Sequence, residues 1–225
     1  MINAPEILKK HLGILRRRDK RLSHAIKTVG FPGPRTQTPG FGTLIRIIID
    51  QQVSTAAGAA IWAKLQRACA GTVNPKRVVA LGETGLRAVG CSGQKARYIM
   101  GVSAATVDST LHFGKLHKAE DIAVRETLIA FNGIGEWTAN IYLMFGMGRP
   151  DVWPAGDLAL QIGVQMLHGL KKRPTPKELD KIAEQWKPYR SSAAVLIWHY
   201  YTTHRATQKT VAKKRPAKKS SAKVS

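Results

Sequence analysis

Apolar residues recur at helical spacing along most of the chain. In residues 1–30 they alternate with basic side chains, a pattern that predicts one or two amphipathic helices. Gly30, Gly33 and Gly40, together with three prolines between them, predict a loop at the end of this segment. Residues 1–40 are therefore expected to contribute N-terminal helices and a loop.

A strongly apolar segment follows this loop. Its run 45–49 is largely β-branched and would suit a strand on local propensity. Leu44 and Ile48 stand at helical offsets, however, so we expect a helix here. Ser54 is placed to cap a second helix that continues to Leu65.

The remainder of the chain has the pattern of further helices, which are joined by turns containing glycine or proline. One helical pair is joined by a Gly-Cys-Ser-Gly turn, and a Thr-Pro-Lys-Glu run gives another helix a capped start with proline at its first position. The predicted helical segments are 83–105, 120–143, 158–170, the segment capped by Thr175, and 192–204.

A tight hairpin, Asn132-Gly133-Ile134-Gly135, interrupts one of these helical segments. Two glycines around one apolar residue let the chain turn with positive φ and leave no side chain over the turn. Backbone N–H groups then point outward at the start of the next helix, where the helix dipole also favours an anion. The hairpin suits a phosphate, although an ordinary glycine C-cap between two helices has the same local pattern.

The balance of charge indicates a polyanionic partner. The 225 residues include 36 Lys and Arg against 14 Asp and Glu, a formal charge of +22. Seven of these cations lie in residues 208–225, a segment without acidic residues that predicts a disordered basic tail. Removing those seven from +22 leaves +15, so the body of the protein should itself bind a polyanion, and nucleic acid is the usual one.

Two classes of protein are disfavoured by the composition. No segment approaches the roughly eighteen uninterrupted apolar residues of a membrane span, and the N-terminus has no signal-type apolar stretch. We therefore expect a soluble intracellular protein. Cys69 and Cys91 form no CxxC pair and stand near no histidine at metal-ligand spacing, so we expect neither a structural disulfide nor a metal cluster.

The segment from Phe131 to Asn140 closely resembles the helix-hairpin-helix DNA glycosylase superfamily, whose motif runs apolar-x-Gly-Ile/Val-Gly-x-x-Thr-Ala. Asn132 stands where that superfamily commonly has Pro, and Asn also tolerates turn geometry. The WxPxRS run at 186–191 and Trp198 are similar to the 3-methyladenine DNA glycosylase II branch. The resemblance covers residues 41–203. It implies a compact all-α fold of two helical lobes, with the hairpin motif beside the cleft between them.

Asp157 is the candidate catalytic residue. Cleavage of an N-glycosidic bond generates positive charge on the deoxyribose, so it requires a fixed negative charge beside C1′ and a water on the open face. Asp157 follows a loop with Pro150, Pro154 and Gly156, where the superfamily has its catalytic Asp. Its local sequence alone would indicate a plain N-cap. Asp151, in the same loop, is expected to be structural.

Two tryptophans would define the base pocket. Bifunctional members of the superfamily carry a nucleophilic Lys two residues after the second glycine of the hairpin, and here that position is Trp137. The resemblance therefore implies a monofunctional enzyme that leaves an abasic site. Trp137 and Trp198 would bind positively charged alkylated purines by stacking and cation–π attraction. On composition alone, either tryptophan could instead be ordinary core.

The junction after the first apolar helix would also contact DNA. The resemblance implies that Gln52 enters the duplex gap left by the extruded base, with Gln51 as its support. In a purely structural interpretation, these polar residues end a buried helix. Lys95 follows the Gly-Cys-Ser-Gly turn and is expected to meet a phosphate, whereas an exposed lysine in a first helical turn is usually solvated.

The hairpin itself would hold the phosphate beside the lesion. The resemblance assigns this contact to the backbone of Gly133, Ile134 and Gly135, and such a contact fixes position without reading sequence. It also implies a monovalent cation on the carbonyls of Ile129, Phe131 and Ile134. No other cofactor is expected.

Taken together, these features predict a monofunctional DNA glycosylase that excises 3-methyladenine-type alkylated purines from damaged double-stranded DNA and initiates base excision repair. A non-catalytic helix-hairpin-helix DNA-binding protein and a glycosylase for another damaged base stay open as alternatives. The predicted organisation is N-terminal helices and loop at 1–40, a glycosylase domain at 41–207 and a basic tail at 208–225. We expect a cytoplasmic protein, associated with the nucleoid if bacterial, and no feature requires more than a monomer.

Overall fold

The computed structural model describes residue 2, residues 4–33 and residues 37–214, with side chains described as far as Thr207. Every regular element within these residues is helical, which confirms the predicted all-α class. A π-helical turn, Tyr142–Gly146, continues the ninth helix, and a 3-10 turn, Glu184–Trp186, follows the eleventh. The α-helices are α1 (Pro5–Arg18), α2 (Lys20–Val29), α3 (Phe41–Asp50), α4 (Thr55–Ala68), α5 (Pro75–Ala88), α6 (Gly93–Val107), α7 (Phe113–Leu116), α8 (Asp121–Ile129), α9 (Glu136–Ile141), α10 (Leu158–His168), α11 (Pro176–Ala183) and α12 (Arg190–Lys214).

The helices form the two predicted lobes. In one lobe, which spans α3 to α9, α3 packs on α4 and α6, α5 packs on α6, and α8 packs on α9. The other lobe combines the two ends of the described chain, because α1 and α2 pack against α12, while α10 packs against α2, α11 and α12. The segment 147–157 carries the chain from the first lobe into the second, and it ends at Asp157.

Polar caps start several helices where the sequence predicts them. Ser54 accepts a hydrogen bond from the backbone N–H of Ala57 at 3.2 Å and begins α4. Ser92 caps α6 in the same way. Thr175 and Glu178 form a complete capping box at the start of α11. These local side-chain bonds satisfy N–H groups that the first helical turn leaves without partners.

The predicted helix over 45–49 is confirmed, since α3 covers the whole β-branched run. All four isoleucines of this helix are buried. A strand would direct alternate side chains to opposite faces, whereas α3 has neighbours on several sides and can bury nearly all of its apolar residues. Tertiary burial therefore outweighs the local β propensity here.

Two helices are longer than the sequence indicates. α5 begins at Pro75, capped by Asn74, and continues through a kink at Gly82, where φ is +67°. α12 begins at Arg190 and continues to Lys214, so its backbone includes the first part of the segment predicted as a basic tail. Residues 215–225 of that predicted tail lie outside the described residues.

A buried hydrogen bond joins the N-terminal helices to the 3-10 turn that follows α11. Asp19, which is 4% exposed, caps α2 by accepting the backbone N–H of Arg21 at 2.7 Å. Its second carboxylate oxygen accepts Nε1 of the fully buried Trp186 at 2.9 Å. One side chain therefore starts a helix and also satisfies an indole N–H that has no access to water.

Substitution of Asp19 by Ala should cost about 2–4 kcal/mol of unfolding free energy, because it removes a cap and leaves a buried indole N–H without a partner. Thr175→Ala is the matched control. It removes a cap from an exposed position and should cost only about 1 kcal/mol. Denaturant titration of both variants tests this, and equal losses would show that the bond between Asp19 and Trp186 adds nothing beyond capping.

Candidate active site

The hairpin between α8 and α9 has the geometry that its glycines predict. Gly133 has φ +85°, a conformation that L side chains rarely adopt. Ile134 is 3% exposed and anchors the turn in the core, while its N–H donates to the carbonyl of Phe131 at 3.0 Å. Gly135 is the N-cap of α9 and is exposed. The turn therefore presents glycine backbone to solvent at the start of α9.

Tyr98 of α6 explains the need for glycine at 133 more fully than the turn does. A Cβ built on Gly133 would overlap the ring of Tyr98, whereas one built on Gly135 would meet nothing. Gln94 donates to the Tyr98 hydroxyl at 2.6 Å. α6 and the hairpin are thus packed directly against each other, and no sequence pattern singled out Tyr98.

The residues that follow α3 lie beside this hairpin. We call residues 51–54 the wedge loop. Nε2 of Gln51 donates to the carbonyl of Gly133 and to the Oγ1 of Thr138, each at 2.9 Å. Gln52 is exposed and has φ +53°, which is uncommon for a residue other than glycine. The predicted division between a supporting glutamine and an exposed one matches their surroundings, while insertion into DNA stays a prediction.

Lys95 is half-buried and turned inward. Its ammonium donates to the carbonyls of Ile49 and Gln51, each at 2.6 Å, at the C-terminal end of α3. Burial lowers the pKa of Lys95, while the nearby Cys91 and Asp50 act in the opposite direction. The ammonium thus has protein partners in this structure, and its predicted contact with phosphate stays a prediction.

The wedge loop, the start of α6 and the hairpin enclose one cleft. Its volume is about 460 Å³. The lining residues include backbone of the hairpin and polar side chains from the other two elements, among them Gln51, Gln52, Lys95, Gly133 and Gly135. The structure therefore brings together, on one surface, most of the residues that the sequence assigned to DNA contact.

Asp157 accepts hydrogen bonds from three different helices. It caps α10, where Oδ1 accepts the backbone N–H of Leu160 at 2.7 Å. Nε1 of Trp198 on α12 donates to the same oxygen at 2.8 Å, and Nε1 of Trp137 on α9 donates to Oδ2 at 2.8 Å. An ionised carboxylate has about four acceptor positions. Described residues fill three of them, and the fourth is on Oδ2.

The loop before Asp157 is fixed by its own hydrogen bonds. The Asp157 N–H donates to the carbonyl of Pro154 at 2.9 Å. Gln161, which is buried one turn into α10, donates from Nε2 to the carbonyl of Ala155 at 2.9 Å. No sequence pattern singled out Gln161, since a glutamine in a helix is usually exposed.

Asp151 has the structural environment that the sequence predicts for it. Arg190 donates to both of its carboxylate oxygens at 2.9 Å in a bidentate pair. Ser191 adds a second attachment, because its hydroxyl bonds both the N–H and the carbonyl of Val152. The Arg-Ser pair of the WxPxRS run therefore holds the loop before Asp157 against the start of α12, the helix that carries Trp198.

Close helix packing places Trp198 beside Asp157. A Cβ on Gly163 of α10 would overlap the side chain of Ile197, so glycine allows α10 to approach α12 next to Trp198. Trp198 is 6% exposed and lies 5.9 Å, between ring centroids, from Phe145 of the π-helical turn. Trp137 is half-buried and is the more accessible of the two indoles.

A helix-hairpin-helix, a carboxylate that caps the following helix, and two indoles on that carboxylate now stand together. The profile of the HhH-GPD superfamily of base excision DNA repair proteins matches residues 45–188. The chain belongs to the HhH-GPD superfamily. The matched segment contains the wedge loop, the hairpin and Asp157, and it ends within the WxPxRS run.

Relatives of this HhH-GPD protein cover nearly its full length. The alkylbase DNA glycosidase-like protein mag2 of Schizosaccharomyces pombe is 29% identical over 208 residues, 88% of this chain and 95% of the relative. The S. pombe 3-methyladenine DNA glycosylase Mag1, solved in complex with abasic DNA, has a TM-score of 0.77 and 28% identity, with 85% of this chain and 94% of that chain covered. A DNA-3-methyladenine glycosidase from Bacillus halodurans has a TM-score of 0.72 and 31% identity, with 91% and 92% covered.

We also searched the described residues of this HhH-GPD protein for metal sites, reactive cysteines and membrane spans. Among the described residues, no three His, Cys, Asp or Glu side chains are grouped as metal ligands. Cys69 and Cys91 are free and buried, and burial raises the pKa of both thiols, which disfavours the reactive thiolate. No helix in the described part of the chain is long and apolar enough to cross a membrane.

A pair of glycine substitutions tests the hairpin. Gly133→Ala should lower the stability of the protein, by about 1–3 kcal/mol, because it combines a left-handed φ with an overlap on the Tyr98 ring. Gly135→Ala should leave stability within about 0.5 kcal/mol, since its Cβ meets open space. If the hairpin holds a phosphate, Gly135→Ala should still weaken duplex binding. Unfolding titrations and fluorescence anisotropy would measure the two effects, and unchanged DNA affinity of the folded Gly135→Ala variant would contradict the phosphate assignment.

Proposed function

We propose that this protein is a monofunctional DNA glycosylase that flips alkylated purines, 3-methyladenine foremost, out of double-stranded DNA and hydrolyses their N-glycosidic bond. The observation that carries the proposal is the Asp157 carboxylate with the indole N–H groups of Trp137 and Trp198 on its two oxygens. A protein that only binds DNA has no need of this arrangement. The relatives named as 3-methyladenine glycosylases support the same conclusion.

The fixed charge of Asp157 suits the transition state of this reaction. As the bond between C1′ and the base breaks, its electron pair leaves with the base and positive charge develops on the sugar. A carboxylate held by three N–H donors does not need to reorganise as that charge appears. The remaining acceptor position on Oδ2 suits a water, whose oxygen bonds to C1′ while its proton passes to the carboxylate.

The two indoles supply the selectivity for alkylated purines. Alkylation at a ring nitrogen gives the purine a positive charge, and the departing electron pair neutralises it, so the base leaves without a general acid. Each indole uses its N–H on Asp157 and keeps its π system for stacking and cation–π attraction. Trp137, the more accessible indole, is the principal contact, and Trp198 packs beside Phe145.

The absence of lyase activity forms part of the proposal. A lyase needs an amine that attacks C1′ and forms a Schiff base. The position after the hairpin that would hold it is Trp137. Lys95, the lysine that lines the adjacent cleft, has its ammonium bonded to two backbone carbonyls. The product is therefore an intact strand with an abasic site.

We also propose that the hairpin carbonyls bind a monovalent cation. Ile129 ends α8, so its carbonyl lies at the negative end of a helix dipole, and Ile129, Phe131 and Ile134 all line the cleft beside the wedge loop. Carbonyl oxygens are the ligands that hard cations prefer. A cation held there would add positive charge next to the phosphate that Gly133 and Gly135 are proposed to bind.

Substitution of Asp157 by Asn should lower the single-turnover release of methylated purines by about a thousandfold, because it removes the charge that stabilises the sugar cation. An Asn oxygen at the Oδ1 position would still serve Leu160 and Trp198, but its amide would face Trp137. Trp137→Phe is therefore the matched control, since it loses the same indole bond and keeps the carboxylate. It should lose far less activity than Asp157→Asn.

The assay measures free base released from methylated duplex, with binding to an abasic-site duplex followed in parallel. Asp157→Asn should still bind that duplex. A wild-type protein that binds tightly but releases no base from methylated, deaminated or mismatched duplexes would refute the glycosylase proposal and favour a DNA-binding protein without catalysis.

Borohydride trapping tests the second part of the proposal. With an abasic-site duplex and sodium borohydride, a protein without a Schiff-base lysine should give no covalent protein–DNA adduct, because no imine forms for the hydride to reduce. Strands should also remain intact until alkali is added. A trapped adduct, mapped by peptide analysis to any lysine, would contradict the monofunctional assignment without affecting the glycosylase assignment.

A further inference from the structure

We propose that Lys95 is a positioning residue for the wedge loop, acting through the backbone of α3 and not through a DNA phosphate. This inference rests on the proposed function, in which the loop fills the duplex gap behind the extruded base. It assigns to a buried ammonium the task of holding the loop ready before DNA arrives. Lys95 touches no reacting atom in this role.

The contacts of Lys95 are those of a helix C-cap. The carbonyls of Ile49 and Gln51 lie at the end of α3, where the last carbonyls have no partner within the helix. Each accepts the Lys95 ammonium at 2.6 Å. A cation at this end of a helix also interacts favourably with the helix dipole. These two hydrogen bonds fix the backbone just before Gln52.

Gln51 is also held through its side chain. The side-chain amide of Gln51 donates to Gly133 and Thr138, so the hairpin holds the side chain while Lys95 holds the carbonyl. Gln51 thus has both its backbone and its side chain fixed. The loop is clamped between α6 and the hairpin.

The backbone conformation of Gln52 explains why the loop needs to be held. Its φ of +53° puts it in the left-handed region, which is strained for a residue other than glycine. The exposed side chain forms no hydrogen bond with a described residue that would offset this strain. A loop in this conformation persists only when surrounding contacts hold it. The contact nearest to Gln52 in the chain is the hydrogen bond from Lys95 to the carbonyl of Gln51.

Asp50, the last residue of α3, is also held in place by its neighbours. One of its carboxylate oxygens pairs with Arg46 at 2.8 Å, and the other lies against Gly58, where any Cβ would overlap it. α4 therefore approaches the end of α3 closely at Gly58. The loop begins from a fixed point.

The exposed cation of α6 is a different residue. Arg97 lies two positions after Lys95, is exposed, and lines a surface cavity with Phe131 and Asn132 of the hairpin. A guanidinium at that position can reach a phosphate without leaving a protein partner. Lys95 would have to give up two carbonyls to do so. The two cations of this helix therefore divide the tasks, with Lys95 holding the protein and Arg97 facing solvent.

Lys95→Met tests the proposal, because methionine keeps most of the volume and removes the donors. Arg97→Met is the matched control, which removes the same charge from the same helix and leaves the loop untouched. A duplex with 2-aminopurine beside an abasic site reports insertion of the loop by fluorescence, and it requires no base release. Affinity for undamaged duplex over a range of salt concentrations reports phosphate contacts.

We expect Lys95→Met to lose most of the fluorescence change and to slow single-turnover base release about tenfold or more, the scale of losing charge-assisted hydrogen bonds. Its salt dependence should match that of the wild type. Arg97→Met should keep the fluorescence change. If Lys95 instead binds a phosphate, Lys95→Met lowers the slope of log K against log salt by about 0.9 and leaves insertion intact, which overturns the proposal.

Two further measurements distinguish a local effect on the loop from a general loss of stability in Lys95→Met. Amide hydrogen exchange should become faster in Lys95→Met at residues 51–54 and stay unchanged in α10 and α12, whereas general destabilisation would speed exchange throughout. Lys95→Arg retains donors for the same carbonyls and should restore part of the fluorescence change. Faster exchange everywhere, or no rescue by Arg, would refute a local positioning role.

These experiments distinguish failure of the positioning role from failure of the proposed function. Should the wild type release no base yet show the fluorescence change, the proposed function fails while the clamp stands. If the wild type releases base and Lys95→Met retains both rate and fluorescence, the clamp fails while the function stands.

Discussion

The arrangement of this protein depends on one carboxylate that three helices share. Asp157 caps α10 and accepts the indole N–H groups of Trp137 on α9 and Trp198 on α12. Since α9 lies in one lobe and α10 and α12 in the other, these bonds join the lobes at Asp157. Displacing any of the three helices would leave a polar group without its partner, so the geometry of the pocket and the packing of the lobes constrain each other.

The elements of the surface that would meet DNA are also joined by a few shared contacts. The hairpin supplies exposed glycine backbone, and Tyr98 of α6 fills the space above Gly133. Gln51 joins that hairpin to the wedge loop, and Lys95 joins the loop to α6. The hairpin, the wedge loop and α6 are therefore joined into one unit. In the proposed function, a duplex that docks on the hairpin meets a loop whose position is already set relative to it.

Local chemistry alone was enough to predict much of this structure. Helical spacing, together with the caps Ser54 and Thr175, predicted where helices begin, because capping involves residues only three positions apart. The glycines of the hairpin predicted a tight turn for the same reason. Asp157 also had the local pattern of an N-cap, and it is one. Its catalytic assignment came from resemblance, since a capping carboxylate and a catalytic one look alike in sequence.

The sequence by itself determined an all-helical, basic protein with a phosphate-suited hairpin and a carboxylate at the start of a helix. Only the tertiary structure decided that two tryptophans from different lobes meet on Asp157, that Lys95 turns inward to α3, and that Gln161 holds the loop before Asp157. The physical reason is that these side chains are directed by packing between helices far apart in the chain. A periodic pattern records which face of a helix is buried, but it does not record what that face meets.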